Sequence, residues 1–193
     1  MSEPLNKKKK ETVKEKSGTY DIPERYEMIG GIRYDFLPSP KYVHQIIIGN
    51  LYLAMYTSCH PKGRVILAPM DVHFDEGDNV AQPDIIFIAN ENLHIIRDGY
   101  VFGAPDLLIE ILSPSTGKKD KTVKKAMFEQ FGVKEYWLVD PTYFTVDQFL
   151  LIDNKYVLIA THGLEEAVVT SPQFACMAVP LKDIFASVER PED

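Results

Sequence analysis

The chain has 193 residues, 45% of them hydrophobic, which suffices for one substantial core and is short for two, so one globular domain is expected over 20–193. No run of about 18 or more apolar residues occurs, and Met1-Ser2-Glu3-Pro4 leads into lysines rather than an apolar leader, so the expectation is a soluble, cytoplasmic chain with no membrane partner. The net charge of -7 is uneven: six lysines and three glutamates make residues 1–20 +3 and leave -10 elsewhere, an acidic balance that argues against a nonspecific nucleic-acid coat but is compatible with a carboxylate-rich metal site.

Residues 1–19, with Lys7-Lys8-Lys9-Lys10, carry almost no apolar side chains and are expected to form a disordered, solvated tail. Two short strands about Gly30-Gly31 follow, read as a hairpin. Val43, Ile46, Ile47, Leu51, Ala54 and Met55 recur at helical spacing, which predicts an amphipathic helix from about Pro40 to Ser58 with Ser39 as its cap. Three strands are then predicted: Arg64 to His73, Asp84 to Ala89 and Asp106 to Leu112. A helix over Lys118 to Phe131, stopped by Gly132, precedes the apolar strand Glu135 to Asp140. Antiparallel strands over Phe144 to Leu150, Lys155 to Thr161 and Ala167 to Thr170, and a short helix near Leu181 to Ala186, complete the chain. The expected class is mixed α/β with one central sheet flanked by helices, an N-terminal hairpin and a C-terminal antiparallel extension. The Lys118 helix can serve as a crossover making the Asp106 and Glu135 strands parallel. Cys59 and Cys176 lack any CxxC partner and are expected to be free, buried thiols.

Chemistry concentrates in the middle of the chain. Alternation along the Asp106 strand puts Asp106, Leu108, Glu110 and Leu112 on one face, so Glu110 is a carboxylate within an apolar run. Burying it ionised and unpaired costs several kcal/mol, roughly most of a domain's stability, so a cation or hydrogen bonds must compensate. A plain salt-bridge partner satisfies the same requirement. Asp84 opens its strand after Pro83, where a sheet end borders a crevice; an ordinary turn residue could stand there too. On a helical wheel of about 100° per residue with Asp120 as origin, Met127, Phe131 and Lys124 fall at about 340°, 20° and 40°, while Lys125 falls outside at about 140°. Lys124 therefore points toward the sheet, either as a reacting group or with its stem over the core and its ammonium on Asp120. Two carboxylates and an inward lysine suit phosphodiester hydrolysis: the carboxylates hold Mg²⁺ or Mn²⁺, which acidifies bound water, and an ammonium orients the nucleophile.

Competing motifs carry less. Ser113-Pro114-Ser115-Thr116-Gly117-Lys118 has Leu112 where a phosphate-binding loop needs its first glycine and Lys119 where it needs Ser or Thr. His44, His60, His73, His94 and His162 show no zinc-hydrolase spacing, and no GxSxG elbow occurs.

Several segments together resemble the Uma2 (DUF820) family of restriction endonucleases: Gln82-Pro83-Asp84-Ile85-Ile86-Phe87; Gly103-Ala104-Pro105-Asp106 through Glu110 to Thr116; Asp120 and Lys124; and Phe131-Gly132-Val133-Lys134-Glu135-Tyr136-Trp137-Leu138-Val139-Asp140-Pro141. Upstream, Tyr26-Glu27-Met28-Ile29-Gly30-Gly31, Ser39-Pro40-Lys41-Tyr42-Val43-His44-Gln45 and Gly49-Asn50-Leu51 extend the likeness. The resemblance implies a PD-(D/E)XK nuclease fold with Asp84 and Glu110 as metal ligands and the Ile111 carbonyl as a third. Leu112 occupies the place of the motif's lysine, and the resemblance moves that function to Lys124. It also places Glu27 and His44 at the border of the pocket, with Asp106 and Asp120 beside it. The implied activity is an Mg²⁺- or Mn²⁺-dependent endonuclease acting on nucleic acid, DNA first, for which a homodimer would cut both strands of a duplex. The competing expectation is a nuclease-like module without catalysis that binds nucleic acid or a protein partner.

Overall fold

In a computed structural model of the chain, residues 26–35, 41–164 and 168–189 are described. The lysine-rich tail and the expected cap at Ser39-Pro40 lie outside them. β1 (Tyr26–Ile29) and β2 (Ile32–Asp35) form the expected hairpin. Gly30 and Gly31 turn it at φ of +58° and +73°, the backbone that a two-residue turn between twisted strands requires. α1 (Tyr42–Cys59) buries Ile47, Leu51, Met55 and Cys59 at four-residue intervals, and Lys41 is its N-cap.

The strand expected over Arg64 to His73 is two strands in two sheets. β3 (Gly63–Leu67) ends before Pro69, which has no N–H to donate to a ladder, and β4 (Val72–His73) starts elsewhere. There follow β5 (Val80–Ala81), β6 (Ile85–Ala89), a 3₁₀ turn over Asn90–Ile95, β7 (Ile96–Arg97), β8 (Tyr100–Phe102) and β9 (Leu107–Ile111). The helix expected over Lys118 to Phe131 is interrupted: α2 (Gly117–Lys119) passes into a π-turn over Asp120–Lys124 and then α3 (Lys125–Gln130). β10 (Glu135–Asp140), β11 (Thr145–Ile152), β12 (Lys155–His162), β13 (Val168–Thr170), β14 (Ala178–Pro180) and α4 (Leu181–Ile184) complete the described chain.

The central sheet runs β12-β11-β10-β9-β6-β3. β9 and β10 are parallel, joined by the α2–α3 crossover as expected, and the other pairs are antiparallel. The N-terminal hairpin is not a free appendage but one end of a second six-stranded sheet, β2-β1-β5-β4-β8-β7. β4, β5 and β7 are two residues long and β8 is three, too short for an alternating pattern to show in sequence.

Both faces of the central sheet are covered, which is why β6 and β9 are buried at every position. On one face Phe87, Ile109, Trp137 and Val146 pack with Ile47, Leu51 and Met55 of α1 and with Val179, Leu181 and Ile184. On the other, Ile86, Leu108 and Tyr136 pack with Met127 and Phe128 of α3 and with Ile29, Val72 and Val101 of the second sheet. Cys59, at the end of α1, is disulfide-bonded to Cys176, which corrects the expectation of free thiols. Packing of α1 and the C-terminal segment on the same face brings together sulfurs 117 residues apart, a proximity that local spacing does not signal. Among the described residues no helix is long and apolar enough to cross a membrane.

Candidate functional site

The antiparallel β6–β9 ladder pairs Ile85 with Ile109, so its continuation places Asp84 across from Glu110 on one face, where opposed side chains start about 5 Å apart. Asp84 precedes β6 at the sheet end, and its Oδ2 accepts the Ile111 N–H at 2.8 Å. The same oxygen meets His44 Nε2, from the first turn of α1, at 3.1 Å. Burial depresses the His44 imidazole, but the hydrogen bond and charge of Asp84 outweigh it and leave the pKa raised. The bond to Ile111 ties one carboxylate strand to the other, so the sheet itself sets the spacing of the acidic pair.

The lysine comes from the crossover. A π-turn is wider than an α-turn and is often found at functional sites. Here it carries both Asp120 and Lys124 into the interior, where Lys124 is only 3% exposed. Lys121 and Lys125 stay outside, the first 3.7 Å from Asp140 and the second 3.9 Å from the centre of the Phe149 ring. Lys124 Nζ pairs with Glu110 Oε1, lies 2.9 Å from Glu27 Oε1 and reaches Asp120 Oδ1 only at 3.9 Å. The second sheet supplies Glu27, whose Oε1 also accepts the Gln82 N–H at 2.9 Å and whose Oε2 accepts Lys119 Nζ at 2.5 Å.

The site is electrostatically loaded. Burial pushes the Glu110 carboxyl well above the usual carboxylate range; Lys124 opposes this, while Asp120, Asp84 and Glu27 add to it. Burial likewise raises Asp120 despite Lys124 and a hydrogen bond from Thr116. For Lys124, burial would favour the neutral amine, yet Glu110, Glu27 and Asp120 together hold its pKa well above the ordinary value. Glu27 goes the other way: burial opposes its charge, but Lys124, Lys119 and its hydrogen bonds bring it down to about 2.

The donors at hand, the Asp84 and Glu110 carboxylates at facing positions where the β6–β9 ladder continues and the Ile111 backbone carbonyl, offer the oxygen that Mg²⁺ or Mn²⁺ takes. The residues present thus fit such an ion through two carboxylates. Among the described residues no group of three or more His, Cys, Asp and Glu side chains is arranged to hold a metal.

Asp84, Glu110, Lys124, Asp120, Glu27, His44 and Ile111 therefore form one connected cluster. Asp106 does not join it through its bonds. It stands beside the other end of β9, where Oδ2 accepts the Ala89 N–H at 2.8 Å and Oδ1 accepts Asn92 Nδ2 and Lys134 Nζ at 2.6 Å each. Lys119 and Gln82 are contributors that sequence reasoning missed. Lys119 and Glu27 are 92 residues apart, and only the docking of the second sheet on the crossover joins them. A cleft of about 950 Å³, lined in part by Tyr26, Met28, His73 and Phe102, lies on the outer face of the second sheet and includes neither Asp84, Glu110 nor Lys124. It adjoins the cluster at Gln82, whose backbone N–H donates to Glu27.

Comparison with known proteins agrees with this architecture. A solved structure described as a putative nuclease belonging to DUF820, from Anabaena variabilis ATCC 29413, is 25% identical and aligns over 86% of this chain and 93% of that one with a TM-score of 0.67. No curated protein matches. The profile of the Uma2 family, whose description is "Putative restriction endonuclease", matches residues 20–180. With most of its length matched, and with a fold shared with a DUF820 protein, the chain belongs to the Uma2 family.

Proposed function

We propose that this chain is a metal-dependent endonuclease that hydrolyses phosphodiester bonds in DNA. The observation that carries this reading is the buried Lys124 ammonium against Glu110, with Asp84 across the strand pair from that carboxylate. Asp84 and Glu110, with the Ile111 carbonyl, would hold Mg²⁺ or Mn²⁺. When bound, the ion supplies an acidified water and offsets charge on the phosphoryl oxygens. Lys124 provides a fixed ammonium whose protons can hold the nucleophilic oxygen or a phosphoryl oxygen. Its raised pKa keeps it charged through the physiological range, so it acts as a donor and an electrostatic group rather than as a base. DNA is preferred as substrate on the family's description as restriction endonucleases.

The test is incubation of supercoiled plasmid with pure protein in Mg²⁺, Mn²⁺ or EDTA, beside the Asp84→Ala variant. Nicked or linear product that needs both the metal and Asp84 is expected. Intact plasmid with wild-type protein in every metal would reject the reading and leave a nuclease-like binding module.

A further inference from the structure

We propose that Glu27 is a positioning residue, which holds the Lys124 ammonium in the site while Lys119 neutralises its second oxygen; the catalytic part of this rests on the nuclease reading above. Glu110 faces two claims, since it pairs with Lys124 and is also a ligand in that reading. A carboxylate oxygen turned toward a divalent ion gives less to a neighbouring ammonium. Asp120 cannot replace it, because 3.9 Å is beyond a good hydrogen bond. Glu27, at 2.9 Å, is the partner of Lys124 that stays in place whatever Glu110 does.

The geometry also says why Glu27 acts through Lys124 rather than on an ion. Oε1 is shared between the Gln82 N–H and Lys124, and Oε2 is taken by Lys119. Two ammoniums and a backbone donor thus surround one carboxylate that is 1% exposed. Its backbone is held on both sides, by pairing of β1 with β2 and of Met28 with Val80 in β5. The second sheet therefore braces Lys124 from a strand separate from those that carry Asp84 and Glu110. Measured against apolar packing a buried ion cluster adds little net stability, although removing one partner destabilises the fold, so the distinctive consequence of this one is where Lys124 stands.

The experiment follows the Lys124 ammonium directly. In ¹⁵N-labelled protein its Nζ–H signal, assigned by loss in Lys124→Arg, is expected to persist with and without Mg²⁺ because a buried, hydrogen-bonded ammonium exchanges slowly with water. Glu27→Gln should speed that exchange at least tenfold or abolish the signal, with Mg²⁺ affinity by calorimetry changed less than about twofold. On plasmid, kcat should fall tenfold or more with KM little changed. Glu27→Asp, which keeps the charge but is one methylene short, should not restore it. If Glu27→Gln folds poorly, the double variant Glu27→Gln/Lys119→Met removes the stranded second ammonium and should show the same loss of signal. An unchanged Lys124 signal in either variant overturns the proposal, as does a tenfold loss of Mg²⁺ affinity, which would make Glu27 a ligand. Failure of the nuclease reading would show separately, as wild-type protein that never cleaves, and the ammonium signal would still decide the role of Glu27.

Discussion

Lys124 and Lys125 are adjacent in sequence and differ only in what they face. Lys124 is enclosed by Glu110, Glu27 and Asp120, whereas Lys125 lies over the Phe149 ring at 3.9 Å. Lys124→Ala is expected to lower cleavage on the order of 10²-fold or more, comparable to loss of a donor to charge developing in a transition state, while Lys125→Ala keeps most of it. Rates and Tm measured on both variants in one buffer check this, and equal activities would remove Lys124 from the mechanism. Glu27 makes a second test at this scale. Its folded pKa, about 2, lies below the ordinary value of 4.5, so its contribution is complete above pH 4.5 and is lost as pH falls toward 2. The shift corresponds to about 3 kcal/mol. Metal-free Glu27→Gln should therefore be less stable than wild type at pH 7, with the two converging as the pH drops through that window. A gap in denaturant midpoints that stays constant from pH 7 to pH 3 would show that the Glu27 charge is not what matters.

At the scale of elements, two attachments hold the site's surroundings. The α2–α3 crossover spans parallel strands β9 and β10 and delivers the lysine to the face where Glu110 stands, through a π-turn that an ideal helical wheel does not contain. The wheel still picked out the inward lysine, because the apolar positions Met127 and Phe128 dock the helix on the sheet and fix its rotation. The other attachment is the Cys59–Cys176 bond between the end of α1 and the segment before β14. A bridge across so long a loop restricts the unfolded chain, an effect typically worth about 2–4 kcal/mol. Reductant should lower the Tm of the wild-type chain by several degrees and leave a Cys176→Ala variant unmoved. Identical wild-type melts with and without reductant, once thiol titration confirms two free thiols, would show that the bond contributes nothing.

For the whole molecule, pairing of β6 with β9 in the central sheet is what brings Asp84 and Glu110 together, so on the proposed nuclease function an ion held by them would bind only the folded chain. An ion that binds only the folded chain at about 100 times its Kd adds about 2.7 kcal/mol. For a chain of this size that is a Tm rise of about 5–10 °C. Mn²⁺ or Mg²⁺ should produce such a rise in the wild-type chain and little or none in Asp84→Ala. Scanning calorimetry that finds equal shifts in both would place the ion elsewhere.

The division between what sequence and structure each determined follows the range of the interactions involved. Asp84 after Pro83 stood out through the family resemblance, whereas Glu110 in an apolar run and Lys124 on the apolar side of its helix were legible because alternation and helical periodicity act over a few residues. The same holds for the Gly30-Gly31 turn and for β10, whose Glu135–Asp140 bounds agree with the reading from sequence. The second sheet was not legible beyond its first hairpin, since strands of two or three residues carry no period and its order depends on partners far along the chain. The sulfur pairing of Cys59 with Cys176, the break of a long apolar run into β3 and β4, and the placing of Lys119 and Gln82 on Glu27 likewise arise only when distant segments dock. Local periodicity thus singled out candidate side chains, and tertiary packing decided what surrounds them, because burial and charge compensation are properties of the assembled layers rather than of any one segment.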